Sequence, residues 1–171
     1  MAGAVGGLIS LPAWANGWTI ETVHSAQPLL THAQTEVLAA MVETIIPATD
    51  TPGAKALNVH QFVQKMVADC YDKKVQDNLS DNLNALNGMA QKSFGKPFAE
   101  GDTGGRMALL TQLAQSSDAA QKDFYSLVKN LTIRGYMSSE YVMTNLTHYE
   151  FIPGRYHGCV PVKSKTASQP K

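Results

Sequence analysis

Apolar residues recur every three or four positions along most of the chain, which is the spacing of amphipathic helices. The segment Thr31-His32-Ala33-Gln34 has the form of a capping box. We therefore expect the first helix to begin after Thr31, and to end at Pro47, which has no amide to donate. Its apolar face consists of Val37, Leu38, Met41, Val42 and Ile45.

Two further apolar stripes predict the second and third helices. Asn58 is expected to cap the second helix, and the third should run from about Asp72 to Ser93, where Gly95 ends it. The second stripe consists of Val59, Phe62, Val63, Met66, Val67 and Cys70. The third consists of Val75, Leu79, Leu83, Leu86 and Met89.

Shorter patterns follow in the second half of the chain. The glycine-rich stretch "AEGDTGG" (99–105) predicts a flexible connector, after which Met107, Leu110 and Leu113 mark a short fourth helix. Ser117 and Asp118 are expected to open a fifth helix that stops before Gly135. Its stripe consists of Phe124, Leu127, Val128 and Leu131. A last short helix should cover 138–146.

These elements predict an all-α fold, a compact single-domain bundle of about five to six helices. We assign residues 31–162 to this helical domain and expect the polar residues 163–171 to form a disordered tail. The stretch "PGRYHGCVPV" (153–162) cannot continue a helix because of its prolines and glycines. We call these ten residues the strap.

Composition narrows the possible partners. The chain carries 14 basic and 14 acidic side chains, which argues against binding nucleic acid, since affinity for phosphates comes from excess Lys and Arg. Only 16% of the residues are charged, against about 25% in ordinary globular domains. A weakly charged, neutral protein is prone to associate with itself or with a partner protein.

The first residues resemble the end of an export signal. Residues 2–16, "AGAVGGLISLPAWAN", are apolar, and Ala13-Trp14-Ala15 suits a signal peptidase. We expect 1–15 to be the remnant of a signal whose basic start lies upstream, followed by an N-terminal extension at 16–30. The alternative is a glycine-rich N-terminus with no targeting role. An exported protein would work where cysteines can be oxidised.

Residues capable of catalysis do not form a recognisable motif. No two of the five histidines are three or four positions apart, so a helical metal-binding pair is not predicted. Gly101, Gly104 and Gly105 lack the lysine of a phosphate-binding loop and are expected to belong to a linker. The spaced pairs Asp69/Asp72 and Asp77/Asp81 are interpreted as solvated charges. We therefore predict no catalytic, cofactor-binding or metal-binding residue.

The two cysteines allow three states. Cys70 lies in the apolar stripe of the second helix, where a free thiol acts as a small hydrophobe. Cys159 lies in the strap. It could pair with Cys70 and tie the strap to the bundle, bond to another chain, or stay free.

Two long stretches resemble a known family. "VETIIPATDTPGAKALNVHQFV" (42–63, the first signature) is similar to the N-terminal part of the small, third subunit of gluconate 2-dehydrogenase. "GYMSSEYVMTNLTHYEFIPGRYHGCVPV" (135–162, the second signature) is similar to that family's C-terminal part, and "FGKPF" (94–98) fits between them. The resemblance covers about 31–162.

The resemblance implies a non-catalytic accessory subunit. Such chains accompany a large FAD-containing dehydrogenase subunit and a cytochrome subunit with haem c, and hold neither cofactor themselves. It also implies export by the twin-arginine machinery and a periplasmic location, associated with the inner membrane through the complex. The paired arginines themselves are missing from this sequence.

The strap is the expected contact with the partner. Tyr and Arg are enriched at interface hot spots, and neighbouring prolines reduce the entropy lost on docking. The predicted partner-binding residues are Pro153, Gly154, Arg155, Tyr156, Cys159 and Pro161. The loop "PATDTPGA" (47–54) is a possible second contact. The strap could instead pack on the chain's own helices.

Two other functions are considered. One is a stand-alone periplasmic helical protein that binds a small ligand between its helices. The other is a stand-alone enzyme, which would need a convergent set of acids, bases or metal ligands.

Overall fold

The computed structural model describes residues 29–147, 149, 150, 152, 154 and 159. All regular secondary structure in this part of the chain is helical, which confirms the all-α prediction. The α-helices are α1 (His32–Ile45), α2 (Val59–Cys70), α3 (Lys73–Phe94), α4 (Thr103–Ala114) and α5 (Ala119–Met137). A 3-10 helix, Phe98–Glu100, and a π-helix, Val142–Leu146, complete the described elements.

The predicted capping box opens α1. The Gln34 amide donates to Thr31 Oγ1 at 3.3 Å, and the Thr31 amide donates to Gln34 Oε1 at 2.8 Å. Gln34 is buried, and its side-chain nitrogen also donates to Ser80 Oγ at 2.8 Å and to Asn84 Oδ1 at 3.2 Å on α3. One side chain therefore both starts α1 and joins it to α3.

α1 lies at the centre of the bundle and contacts the other four α-helices and the 3-10 helix. Its residues Leu38, Met41 and Val42 have no exposed surface, whereas Ile45 is only partly buried. Each fully buried side chain of this kind stabilises the fold by about 1.5–3 kcal/mol. The other large buried residues of the same core include Leu79, Leu83, Leu86, Phe98, Phe124 and Val128.

α3 has the ends that the sequence predicts. Asp72 caps it by accepting from the Val75 amide at 3.0 Å. Gly95, with φ of 69°, ends it, and its amide donates to the Gln91 carbonyl oxygen at 3.0 Å. Val75 and Met89, predicted to be buried, are only partly so.

The prediction of a flexible connector at 99–105 is wrong. Phe98 is fully buried, and its amide donates to Asn87 Oδ1 at 2.9 Å. Asp102 then caps α4 by accepting from the Gly105 amide at 3.1 Å, so Gly104 and Gly105 lie inside the helix. A cap contributes about 1 kcal/mol, which offsets part of the low helix propensity of glycine.

Other details also differ from the predictions. Asn58 precedes α2 in a left-handed conformation with φ of 55° and makes no side-chain capping bond. Cys70 is exposed rather than part of the apolar face of α2, because the stripe leaves the core at the last turn. Met107 is likewise exposed. α5 continues past Gly135 to Met137.

Candidate partner-binding end

The two signature segments of the sequence meet at Tyr136, near the end of α5. The Tyr136 hydroxyl lies 3.0 Å from Thr51 Oγ1 and donates to the Pro52 carbonyl oxygen, also at 3.0 Å. Thr51 and Pro52 belong to the loop between α1 and α2. We call this region the Tyr136 end: the loop 47–57, the last turns of α5 from Ile133 to Met137, and the following residues 142–147, 149, 150 and 152.

A close helix crossing fixes α5 beside α2 at this end. A Cβ atom built on Gly135 would lie 2.5 Å from Phe62 Cδ1 and 3.1 Å from Val59 Cγ1. A side chain at position 135 would therefore force the Phe62 ring or the helices themselves to shift. The crossing positions the neighbouring Tyr136 over the loop.

Glu43 of α1 fixes the loop through hydrogen bonds to its backbone. The Glu43 carboxylate accepts from the Ala48 amide at 3.1 Å and from the Lys55 amide at 2.8 Å. A Cβ atom at Gly53 would overlap this carboxylate, so only glycine fits there. The result is a stiff loop whose tip, 47–50, is exposed.

Exposed apolar side chains concentrate at the Tyr136 end. Six large hydrophobic residues are exposed among the described ones, and all except Met107 of α4 belong to this region. Ile133 and Met137 lie one turn apart on α5, and Leu146, Tyr149 and Ile152 follow, the last with 82% of its surface exposed. The π-helix packs against α5, and the Tyr149 amide donates to the Met143 carbonyl oxygen at 2.8 Å, which keeps the chain near it to this point.

The strap is described only at two of its predicted binding residues. Gly154 and Cys159 are both exposed. Pro153, Arg155, Tyr156 and Pro161 lie outside the described residues. Their role in binding stays a prediction.

Both cysteines are free, exposed thiols in the structure. Cys70 ends α2 on its outer side, where it is accessible. The three states expected for Cys159, bonded to Cys70, bonded to another chain or free, stay predictions for the protein in an oxidising compartment.

His60 lies in the first turn of α2, and the pKa of its imidazole is lowered from the ordinary value. Partial burial lowers the pKa of its imidazole, the nearby Lys55 ammonium lowers it further, and Glu36 opposes both. Lys55 Nζ and Glu36 Oε2 are 3.8 Å apart. His60 Nδ1 is buried and has no hydrogen-bond partner within the described part.

A groove runs between the first halves of α3 and α5, with a volume of about 1240 Å³. Tyr71, Val75 and Leu127 form its apolar part. Asn78 Nδ2 donates to the Ala120 carbonyl oxygen at 3.2 Å and holds the two helices together beside it. Five aspartates also line it: Asp72, Asp77, Asp81, Asp118 and Asp123.

The described residues lack two features that would indicate other functions. No three His, Cys, Asp or Glu side chains there are placed to hold a metal ion. None of the helices has the combined length and hydropathy required to cross a bilayer.

Sequence reasoning missed Glu43, Gly135 and Tyr136 as residues that build the candidate site. The only available signal was their position: Glu43 belongs to the first signature, and Gly135-Tyr136 begins the second. Nothing in the sequence indicates that Tyr136 reaches Thr51.

The fold and this surface define a small all-α protein with one core, and with a rigid loop and exposed apolar side chains at one end. The chain belongs to the gluconate 2-dehydrogenase subunit 3 family, whose model matches residues 32–154. The family is an accessory subunit of a membrane-associated dehydrogenase complex. No curated protein and no solved structure gave a match.

Proposed function

We propose that this chain is a non-catalytic subunit that binds and stabilises the large flavoprotein subunit of a gluconate 2-dehydrogenase-like complex through its Tyr136 end. The observation that carries the proposal is the meeting of both signature segments at Tyr136, beside five exposed apolar side chains. Exposed residues of both signatures, among them Met137, Tyr149 and the loop tip 47–50, thus lie where a partner can reach them.

The physical properties of the Tyr136 end suit a protein interface. Isolated exposed hydrophobic residues are common on monomers, but a concentration of them at one place is typical of a binding surface. Tyr149, Met137 and Ile152 offer aromatic, thioether and branched aliphatic surface, and Tyr and Met are enriched in interface cores. The loop is already fixed by Glu43 and Tyr136, so little entropy is lost when a partner orders against it.

The strap extends this surface in the proposal. Gly154 and Cys159 are exposed, and Arg155 and Tyr156 between them are residue types that anchor interfaces. FAD would then be held by the large subunit and haem c by the cytochrome subunit, and this chain would hold neither. The further role of escorting the large subunit through twin-arginine export to the periplasm rests on the family resemblance.

A matched pair of methionine variants tests the proposed interface. Met137 at the Tyr136 end and Met107 on α4 are 52% and 49% exposed, so a charge at either position should be tolerated by the fold. Met137→Glu should abolish co-purification with the co-expressed flavoprotein subunit, because the carboxylate would be buried without a partner. Met107→Glu should leave the complex intact.

A second variant tests the strap separately. Replacing Arg155 and Tyr156 together by Ala should also prevent co-purification, while circular dichroism shows the isolated chain still folded. If both the Met137→Glu chain and this double variant keep the complex intact, the interface lies elsewhere and the proposal is wrong.

A further inference from the structure

Charge is unevenly distributed between the helical body and the end of the chain. Four of the 14 basic residues follow residue 150 and no acidic residue does, so residues 1–150 retain ten basic and 14 acidic side chains. The cations of the end are Arg155, Lys163, Lys165 and Lys171. The overall neutrality of the chain therefore conceals an anionic body joined to a cationic end.

The α3–α5 groove collects a large part of the negative charge. Five aspartates line it, but only one basic side chain does, that of Lys74. Three of the five have local partners: Asp72 and Asp118 cap α3 and α5, and Asp77 Oδ1 accepts from Lys73 Nζ at 2.7 Å.

Asp81 on α3 and Asp123 on α5 are different. Both line the groove, both are exposed, and neither side chain makes a hydrogen bond or ion pair within the described chain. They lie beside the apolar surface of Tyr71, Val75 and Leu127. A segment in which apolar residues are followed by cations would match this groove. Its apolar residues would contact the apolar surface, and its cations would face Asp81 and Asp123.

The groove also points toward the end of the described chain. A smaller cleft of about 400 Å³ shares Tyr71 and Leu127 with it and continues along α5 to Arg134. From Asp123 to Met137 α5 spans roughly 21 Å at 1.5 Å per residue. Residues 152–163 reach roughly 36 Å when extended, so Lys163 can return along α5 to the groove.

We propose that the chain's own C-terminal segment, residues 160–165, docks in the α3–α5 groove. Val160 and Val162 would contact the apolar side chains of the groove, and Lys163 and Lys165 would form ion pairs with Asp81 and Asp123. Arg134 at the opposite end repels these lysines, which sets the direction of the segment. Attachment to the same chain favours this occupant over a free cationic peptide, since tethering gives a high effective concentration.

Docking would hold the first part of the strap at both of its ends. Residue 152 follows the π-helix, and residues 160–165 would be bound in the groove, so residues 153–159 would form an arch between these two points. The inference does not depend on the proposed function, because it concerns the isolated chain. A preformed arch would nevertheless lower the entropy lost if a partner binds the strap.

Trypsin cleavage after Lys163 and Lys165 tests the docking on the full isolated chain. Two exposed ion pairs and an apolar contact should slow cleavage roughly fivefold relative to a free peptide of residues 151–171. Salt at about 0.5 M should remove most of this protection by screening. Carbodiimide cross-linking should give amide links from Lys163 or Lys165 to Asp81 or Asp123, identified by mass spectrometry.

A matched pair of charge variants makes the test specific. Asp81→Asn with Asp123→Asn should raise the cleavage rate to that of the peptide, because both groove partners are lost. Asp50→Asn with Glu140→Gln removes the same charge outside the groove and should leave the protection unchanged. All four side chains are exposed or only partly buried, so the variants should fold.

Equal cleavage rates for the wild-type chain and the peptide would overturn the inference. An equal effect of both charge variants would also overturn it, because the attraction would then be to the whole body. If the isolated chain shows no protection but the groove variant alone fails to bind the flavoprotein subunit, the occupant is a cationic segment of that subunit. That result would reject the docking of residues 160–165. Binding of the flavoprotein subunit at the Tyr136 end is tested independently, by co-purification with Met137→Glu.

Discussion

The Tyr136 hydroxyl and Thr51 Oγ1 lie 3.0 Å apart although the two residues are separated by 85 positions in sequence. The same hydroxyl donates to the Pro52 carbonyl oxygen. These contacts turn the loop after α1 into part of a surface shared with the end of α5.

Tyr136→Phe should release the loop while keeping the ring in the core. The variant loses the bonds to Thr51 and Pro52, so we expect a loss of about 1–2 kcal/mol in the free energy of unfolding, measured in urea. Amide exchange of Thr49, which donates to the Thr51 carbonyl oxygen, should become faster. Tyr149→Phe removes an exposed hydroxyl from the same end, and its stability should stay within about 0.5 kcal/mol of the wild type. Equal stability of the two variants would contradict the anchoring role.

Gly135→Ala should separate α2 from α5. The new methyl group would meet Phe62 and Val59, so the expected loss in the free energy of unfolding is about 1–3 kcal/mol. Gly88→Ala in α3 is the control, because nothing lies within 4 Å of a Cβ atom there. That substitution should stabilise the protein by about 0.5–1 kcal/mol, since it improves helix propensity. A neutral result at position 135 would show that the crossing can relax.

His60 should make the fold less stable in mild acid. Burial and Lys55 hold the pKa of its imidazole below the ordinary value of 6.5. As the pH falls below about 6.5, the unfolded chain binds the proton first, so the free energy of unfolding decreases until the folded pKa is passed. The contribution is fully present above that window.

Two substitutions isolate this contribution of His60. His60→Asn cannot titrate and should flatten this part of the pH profile, measured by urea unfolding between about pH 5 and 8. Lys55→Met should raise the pKa of His60, followed by NMR of the imidazole, since it removes the neighbouring positive charge. A profile that is unchanged in His60→Asn would assign the acid sensitivity to other groups.

Asp102→Ala should loosen the start of α4. The carboxylate accepts from the Gly105 amide, and loss of such a cap costs about 1 kcal/mol. The effect should be visible as faster amide exchange in residues 103–106, where two glycines make the first turn intrinsically weak. Asp50→Ala, an exposed aspartate in the loop after α1, should change neither quantity.

Local signals in the sequence identified the helices well. Thr31 and Gln34 fix the start of α1, and Gly95 fixes the end of α3, because capping depends on neighbouring residues alone. The connector at 99–105 was predicted wrongly for the opposite reason. Burial of Phe98 in the core and the helix cap at Asp102 both stabilise this segment, and together they outweigh the flexibility of the glycines.

The candidate site was only partly predictable. The strap and the loop stand out by their prolines and glycines, so both were identified as possible contacts. The contact between this loop and Tyr136 of α5 was not predicted, because the sequence around a tyrosine in an amphipathic helix does not indicate which distant groups its hydroxyl will bond to. Cys70 fits the apolar spacing of α2 yet is exposed, because periodicity gives the face of a helix but not where the helix leaves the core.

The shared side chain of Gln34 has a consequence for folding. Its amide group completes the first turn of α1 and also bonds to Ser80 and Asn84 on α3, which lie 46 and 50 positions further along the chain. The beginning of α1 should therefore resist fraying, and in native-state hydrogen exchange it should open together with the middle of α3 as one cooperative unit.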